Sequence, residues 1–177
     1  MKQASRNLAL CGVLCALAVA IMALGTILPV ATYCAPVLAS MTLLPALVLC
    51  GEKLSWAMFF ASAMLSLLLA PDKEAAAIFL ALGYYPIVKP RLDRKPKIRR
   101  WVGKLLLFNG SVLAVYAALL FVLKLDALRE EFSAMSGALL AGLLLGGNFL
   151  FWLDDRLLGR FAPRVAALCA RWEKKHR

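Results

Sequence analysis

"NLALCGVLCALAVAIMALGTIL", Asn7 to Leu28, runs for 22 residues without a charged side chain. A helix rises 1.5 Å per residue, so about 20 apolar residues cross the hydrocarbon of a bilayer. The stretch therefore reads as a transmembrane helix. Leu, not a small residue, precedes the cysteine in both "LALC" and "GVLC", which does not suit a lipoprotein signal, and no A-x-A cleavage pattern follows. A retained membrane helix is the expectation.

The whole chain agrees with that reading. It is 63% hydrophobic with a mean hydropathy of +0.79, which leaves too little polar surface for a water-soluble domain of 177 residues. Five further apolar runs follow, so the expected spans are 7–28, 32–50, 54–70, 75–88, 105–123 and 133–153. The fourth is short and has Pro86 near its end. After the sixth, residues 154–177 carry seven basic and three acidic residues among Leu157, Leu158, Phe161, Val165, Leu168 and Trp172, the pattern of an amphipathic surface helix that Pro163 could divide. The expected fold is thus all-α: a bundle of six transmembrane helices over residues 1–153, then a basic amphipathic cytoplasmic tail over 154–177.

Six spans place both termini on one side, and the basic residues test this. Eighteen of the 21 Lys and Arg fall on the side of the termini, against Lys73, Lys124 and Arg129 on the other. That asymmetry puts both termini in the cytoplasm of a plasma (inner) membrane protein. Much of it lies in "KPRLDRKPKIRR", where Lys89, Arg91, Arg94, Lys95, Lys97, Arg99 and Arg100 form a topological anchor attracted to anionic lipid headgroups at about 1 kcal/mol each. Nucleic acid is not expected as a partner, because only Trp101 lies near these charges and single-strand binders interleave aromatics with them.

Small residues recur at helical spacing in two spans. Ser5, Ala9, Gly12, Ala16 and Ala20 mark a face of the first that suits close approach by another helix, either a neighbouring span or a partner subunit. Ala138, Gly142 and Gly146 in the sixth form an extended GxxxG, expected in helix packing. Asn109 and Asn148 both sit near the cytoplasmic ends of their spans and are placed to hydrogen-bond to each other.

Catalytic chemistry has little material. His176 in the tail is the one histidine, no Gly-rich phosphate loop occurs, and no Asp, Glu, Lys, Arg or His lies deep in a span. No enzyme activity, cofactor or metal site is expected. Asp154-Asp155 is followed at once by Arg156 and reads as a local ion pair, and the five cysteines, without CxxC spacing, read as small hydrophobes. At the outer face, the loop of Thr32 and Tyr33 is the expected place for a small-molecule pocket, since tyrosine combines an apolar face with a hydrogen-bonding tip.

Three segments carry a family resemblance: "ALCGVLCALAVA" with its AxxxA at Ala16 and Ala20, the proline-flanked "PVATYCAP", and "PVLASMTLLPALVLCGEKLSWAMFFASAMLSLLLAP". Over about its first half the chain resembles the S components of energy-coupling-factor (ECF) transporters. The resemblance implies a substrate-capture subunit for a vitamin-like micronutrient, docked through Gly12, Ala16 and Ala20 on a transmembrane coupling subunit with paired ATPases, with Thr32 and Tyr33 gating the pocket. In span count, length and orientation the chain also resembles the rod-shape protein MreD and the YybS-like membrane proteins, which implies a scaffold that moves no solute.

Overall fold

The computed structural model describes residues 2–25, 31–121 and 136–175, and those residues are helical with short turns and no strand. Eight helices follow in order: α1 (Lys2–Gly25), α2 (Ala31–Met41), α3 (Leu43–Leu49), α4 (Glu52–Leu69), α5 (Lys73–Leu82), α6 (Tyr85–Asp93), α7 (Lys97–Phe121) and α8 (Gly137–Lys175). The all-α expectation holds. Among the described residues, two helical segments are long and apolar enough to cross a membrane unaided, Ser5–Gly25 and Glu52–Leu69, with a shorter apolar stretch over Cys34–Leu49.

Prolines explain where the expected spans break. Pro45 has no N–H to give Met41 and its ring crowds that carbonyl, so the run 32–50 divides at Thr42 into α2 and α3. The Thr42 hydroxyl donates to Ala39 O at 2.7 Å across the break. Pro86 stands in the same relation to Leu82, and the run 75–88 divides at Gly83-Tyr84 into α5 and α6. Pro163, by contrast, is accommodated inside α8. One helix of 39 residues carries the sixth apolar run past residue 153 straight into the basic segment, undivided at Pro163.

Tight turns set the helix order in space. Gly51 turns α3 into α4 at φ +82°, a backbone region that costs glycine little. At the opposite end of α4, Asp72 caps α5 by accepting from the N–H groups of Glu74 (2.9 Å) and Ala75 (3.0 Å). Lys73 reaches back with its ammonium to Leu67 O (2.8 Å) and Ala70 O (3.0 Å), so one turn satisfies both helix ends.

Two cores result. The larger joins α1 to α5 through Cys11, Cys15, Ala18, Met22, Leu43, Met58, Phe59 and Phe79. The smaller joins α3, α6, α7 and α8 through Leu44, Tyr85, Leu92, Phe108, Phe151 and Leu158. Within it the ring of Phe151 lies 4.8 Å from both Tyr85 and Phe108.

α4 is mixed on its buried face, where Met58, Phe59 and Ala63 lie beside three serines, and apolar on its exposed face. Ser55, Ser62 and Ser66 are fully buried, whereas Phe60, Met64 and Leu68 stand 57%, 63% and 74% exposed. The inner face is narrow enough for close contact with α1 and α5. The outer face is apolar.

Candidate functional site at the basic end

The contacts that close the bundle gather its basic segments at one end. Cys50 Sγ lies 3.5 Å from Asn7 O, joining the α3–α4 turn to the start of α1. Glu52 Oε1 meets Arg91 Nη2 at 2.5 Å, joining that turn to α6. The Arg6 guanidinium lies 5.7 Å from the Trp172 ring, joining α1 to the far part of α8. Segments that the charge asymmetry assigns to one side are therefore neighbours in the fold.

At this end α6, α7 and α8 converge on one carboxylate, Asp155. It accepts from Lys104 Nζ at 2.8 and 2.9 Å, from Lys89 Nζ, and from the Tyr85 hydroxyl at 2.5 Å. Lys104 Nζ also lies 2.7 Å from Asp93 Oδ1, and Lys89 Nζ lies 3.6 Å from Asp93 Oδ2 along α6. Lys89 donates besides to the backbone O of Asp155 at 3.0 Å. Both lysines are buried and Asp155 is 17% exposed, whereas Asp93 is 38% exposed, so two cations and two carboxylates form a network that meets solvent through Asp93. Burial alone would raise the Asp155 pKa, but the hydrogen bonds from Lys104, Lys89 and Tyr85 outweigh it and hold the carboxyl below its ordinary value. Burial likewise works against the Lys104 charge, and the carboxylates of Asp155 and Asp93 raise its pKa in spite of it.

Asp154 differs from its neighbour. It lies on the buried stripe of α8 between Phe151 and Leu158, and its Oδ1 has no hydrogen-bond partner. Burial, reinforced by the charge of Asp155 and opposed by Lys89, pushes its carboxyl up to about 7.

A cavity of about 350 Å³ opens beside the network, lined by Lys89, Asp93, Arg100, Trp101, Lys104, Asp155 and Gly159. Its charges come from the basic block, from Lys104 further along α7 and from α8. The block itself divides: Arg91, Arg94, Lys95, Lys97 and Arg99 are exposed, as an anchor to headgroups requires, whereas Lys89 is 8% exposed. Lys89 is thus corrected from surface anchor to buried network member. The local pairing expected of Asp154-Asp155 is corrected too, because the partners of Asp155 lie 51 and 66 positions away. Sequence spacing held no sign of these pairs beyond a lone acid, Asp93, inside a basic run.

The remaining expectations divide. Asn109 and Asn148 exchange reciprocal amide hydrogen bonds at 3.1 and 3.2 Å, as expected. Gly12, Ala16 and Ala20 are exposed, while α1 turns Cys11, Cys15, Ala18 and Met22 inward, so the small-residue face is not consumed by a neighbouring helix of this chain. Gly142 and Gly146 are exposed as well, and a Cβ on either would meet nothing within 4 Å. The close approach on that helix is made instead by Gly147, where a Cβ would stand 3.3 Å from the Phe108 ring. Thr32 and Tyr33 fall in the first turn of α2 and not in a loop, and their side chains, like that of Ala138, lie outside the described residues. Among the described residues no group of three or more His, Cys, Asp or Glu is placed to hold a metal ion. No protein-family model, curated protein or solved structure matches the chain.

Proposed function

We propose that the chain is a six-span integral membrane protein of the plasma membrane, with cytoplasmic termini, that serves as the substrate-capture subunit of a micronutrient uptake transporter energised by separate ATPases. The observation that carries the membrane reading is α4. A helix that buries Ser55, Ser62 and Ser66 beside Met58, Phe59 and Ala63, and exposes Phe60, Met64 and Leu68, suits apolar surroundings. Exposed Leu8, Val13, Leu17 and Leu24 on α1, and Leu106 and Leu113 on α7, extend the same apolar surface around the bundle.

The docking part of the reading is supported by the open face of Gly12, Ala16 and Ala20 on a helix of 24 residues. In lipid, helices associate through close packing, and a small-residue face left uncovered by its own chain suits a helix of another. The transport part rests on the family resemblance. Pull-down of the tagged protein in mild detergent, followed by mass spectrometry of proteins and retained small molecules, tests both parts. Recovery of a coupling subunit with paired ATPases, weakened when Ala16 and Ala20 are replaced by tryptophan, is the expected result. A chain that partitions into the soluble fraction of lysed cells would remove the premise.

One observation favours a second reading, a membrane scaffold. The cavity described above lies at the basic end, which the charge asymmetry assigns to the cytoplasm, whereas a subunit that captures nutrient needs a cavity at the opposite end. Co-purification of cell-envelope proteins with neither ATPase nor small molecule would select the scaffold.

A further inference from the structure

The geometry points to a phosphate-binding site in the cavity between the α6–α7 turn and α8, with Arg100 as the recognising residue and the headgroup of an anionic phospholipid as the ligand. The four network charges compensate one another: Lys89 and Lys104 face Asp93 and Asp155, and each ammonium already has oxygen atoms around it. A ligand cation would have to displace a buried lysine from its carboxylate. Arg100 is the surplus charge. It lines the cavity, is half-buried, and forms no ion pair among the described residues. Exposed Arg94, Lys95, Lys97 and Arg99 nearby add positive potential, so the cavity favours an anion.

The shape of the donor suits a phosphate. A guanidinium presents a planar fork that pairs bidentately with two phosphate oxygens. Trp101, 46% exposed at the cavity wall, offers an indole of the kind found at membrane–water interfaces. The ligand's apolar part also has a place to go. Leu105, one turn along α7 from the cavity-lining Trp101, is 44% exposed and continues that wall as apolar surface. A free phosphate ester would use Arg100 but would leave this flank uncovered. Gly159 on α8 keeps the opposite wall open, since a Cβ there would meet nothing within 4 Å.

The lipid source rests on the membrane reading, and the test separates the two. The full chain, purified in mild detergent and stripped of lipid, is titrated with short-chain phosphatidylglycerol and, separately, with glycerol 3-phosphate, following tryptophan fluorescence and the unfolding midpoint. Saturable binding of the lipid is expected, weakened about tenfold in Arg100→Gln, as loss of a charge-assisted hydrogen-bond pair predicts. Gly159→Val, which narrows the cavity without a clash, is expected to weaken it too. Arg94→Gln, an exposed charge outside the cavity, is the control and should change affinity less than about twofold. Equal weakening by Arg94→Gln and Arg100→Gln, or non-saturating binding, would overturn the site in favour of diffuse attraction. Glycerol 3-phosphate binding as tightly as the lipid, with the same Arg100 dependence, would keep the site and assign it to a soluble phosphate ester. A chain recovered in the soluble fraction would overturn the membrane reading while leaving that outcome open to the same titration.

Discussion

Lys104 Nζ stands 2.8 and 2.9 Å from the two carboxylate oxygens of Asp155, a residue that follows it by 51 positions. The pair ties the start of α7 to the middle of α8, and Lys89 ties α6 to the same carboxylate. Asp155→Ala would leave two buried ammonium groups with Asp93 alone, and removing one partner of such a network costs about 3–5 kcal/mol. A large drop in the unfolding midpoint of the purified protein is the expected result. Lys89→Met, Lys104→Met and Asp155→Leu together should recover much of that loss. A Asp155→Ala protein that melts like the parent would show that the network contributes nothing to stability.

Asp154 sets a pH dependence between about pH 4 and 7. Its carboxyl is raised from 3.8 to about 7 in the fold, so the protonated form is the one the fold favours. The associated stability is fully present below about pH 4 and is lost as pH rises through 7, a change of a few kcal/mol. Asp155 has the opposite sign, since its lowered pKa gives stability that is lost as pH falls below its ordinary value. Unfolding midpoints measured from pH 4 to 8 should therefore decline with rising pH, and Asp154→Asn should flatten the decline. An equally steep decline in Asp154→Asn would refute the assignment.

Two glycines on α8, five positions apart, should respond oppositely to enlargement. Gly147→Val forces atoms against the Phe108 ring, which stands 3.3 Å from the Cβ position, and should cost about 1–3 kcal/mol. Gly142→Val meets open space and should leave the isolated chain's unfolding midpoint unchanged or slightly raised. If Gly142→Val nonetheless disrupts co-purification of a partner, the exposed GxxxG serves association with another chain.

Cys34 is exposed at the start of α2, whereas Cys11, Cys15 and Cys169 are buried. With cytoplasmic termini, Cys34 lies toward the outer end of the bundle. A membrane-impermeant maleimide applied to intact cells should label the parent and not Cys34→Ser. Labelling confined to lysed cells would reverse the orientation.

The all-helical fold was legible in long uncharged runs of helical length such as 7–28, separated by Pro, Gly and charge. Helix breaks were less legible. Pro45 and Pro86 each split a run that hydropathy alone treats as continuous, while Pro163 lies inside an unbroken helix. The Asn109–Asn148 pair could be foreseen because few polar groups in those spans could serve as partners. Asp155 could not, because eighteen cations on its side of the chain were equally eligible and only the crossing of α6, α7 and α8 selects two. Arg100 was visible as charge, but its role depends on its neighbours Lys89 and Lys104 being already paired.

The serines of α4 bear on the order in which such a bundle is built. Ser62 Oγ donates to Met58 O at 2.8 Å and Ser55 Oγ to the O of Gly51, which caps α4, at 2.9 Å, so these two hydroxyls draw their partners from their own segment, whereas the buried Ser66 Oγ has none. In the proposed membrane setting, Ser55 and Ser62 would not have to wait for a neighbour to cover them. Under that proposal α4 would enter first and the bundle would close around it afterwards, with the inner face deciding where α1 settles.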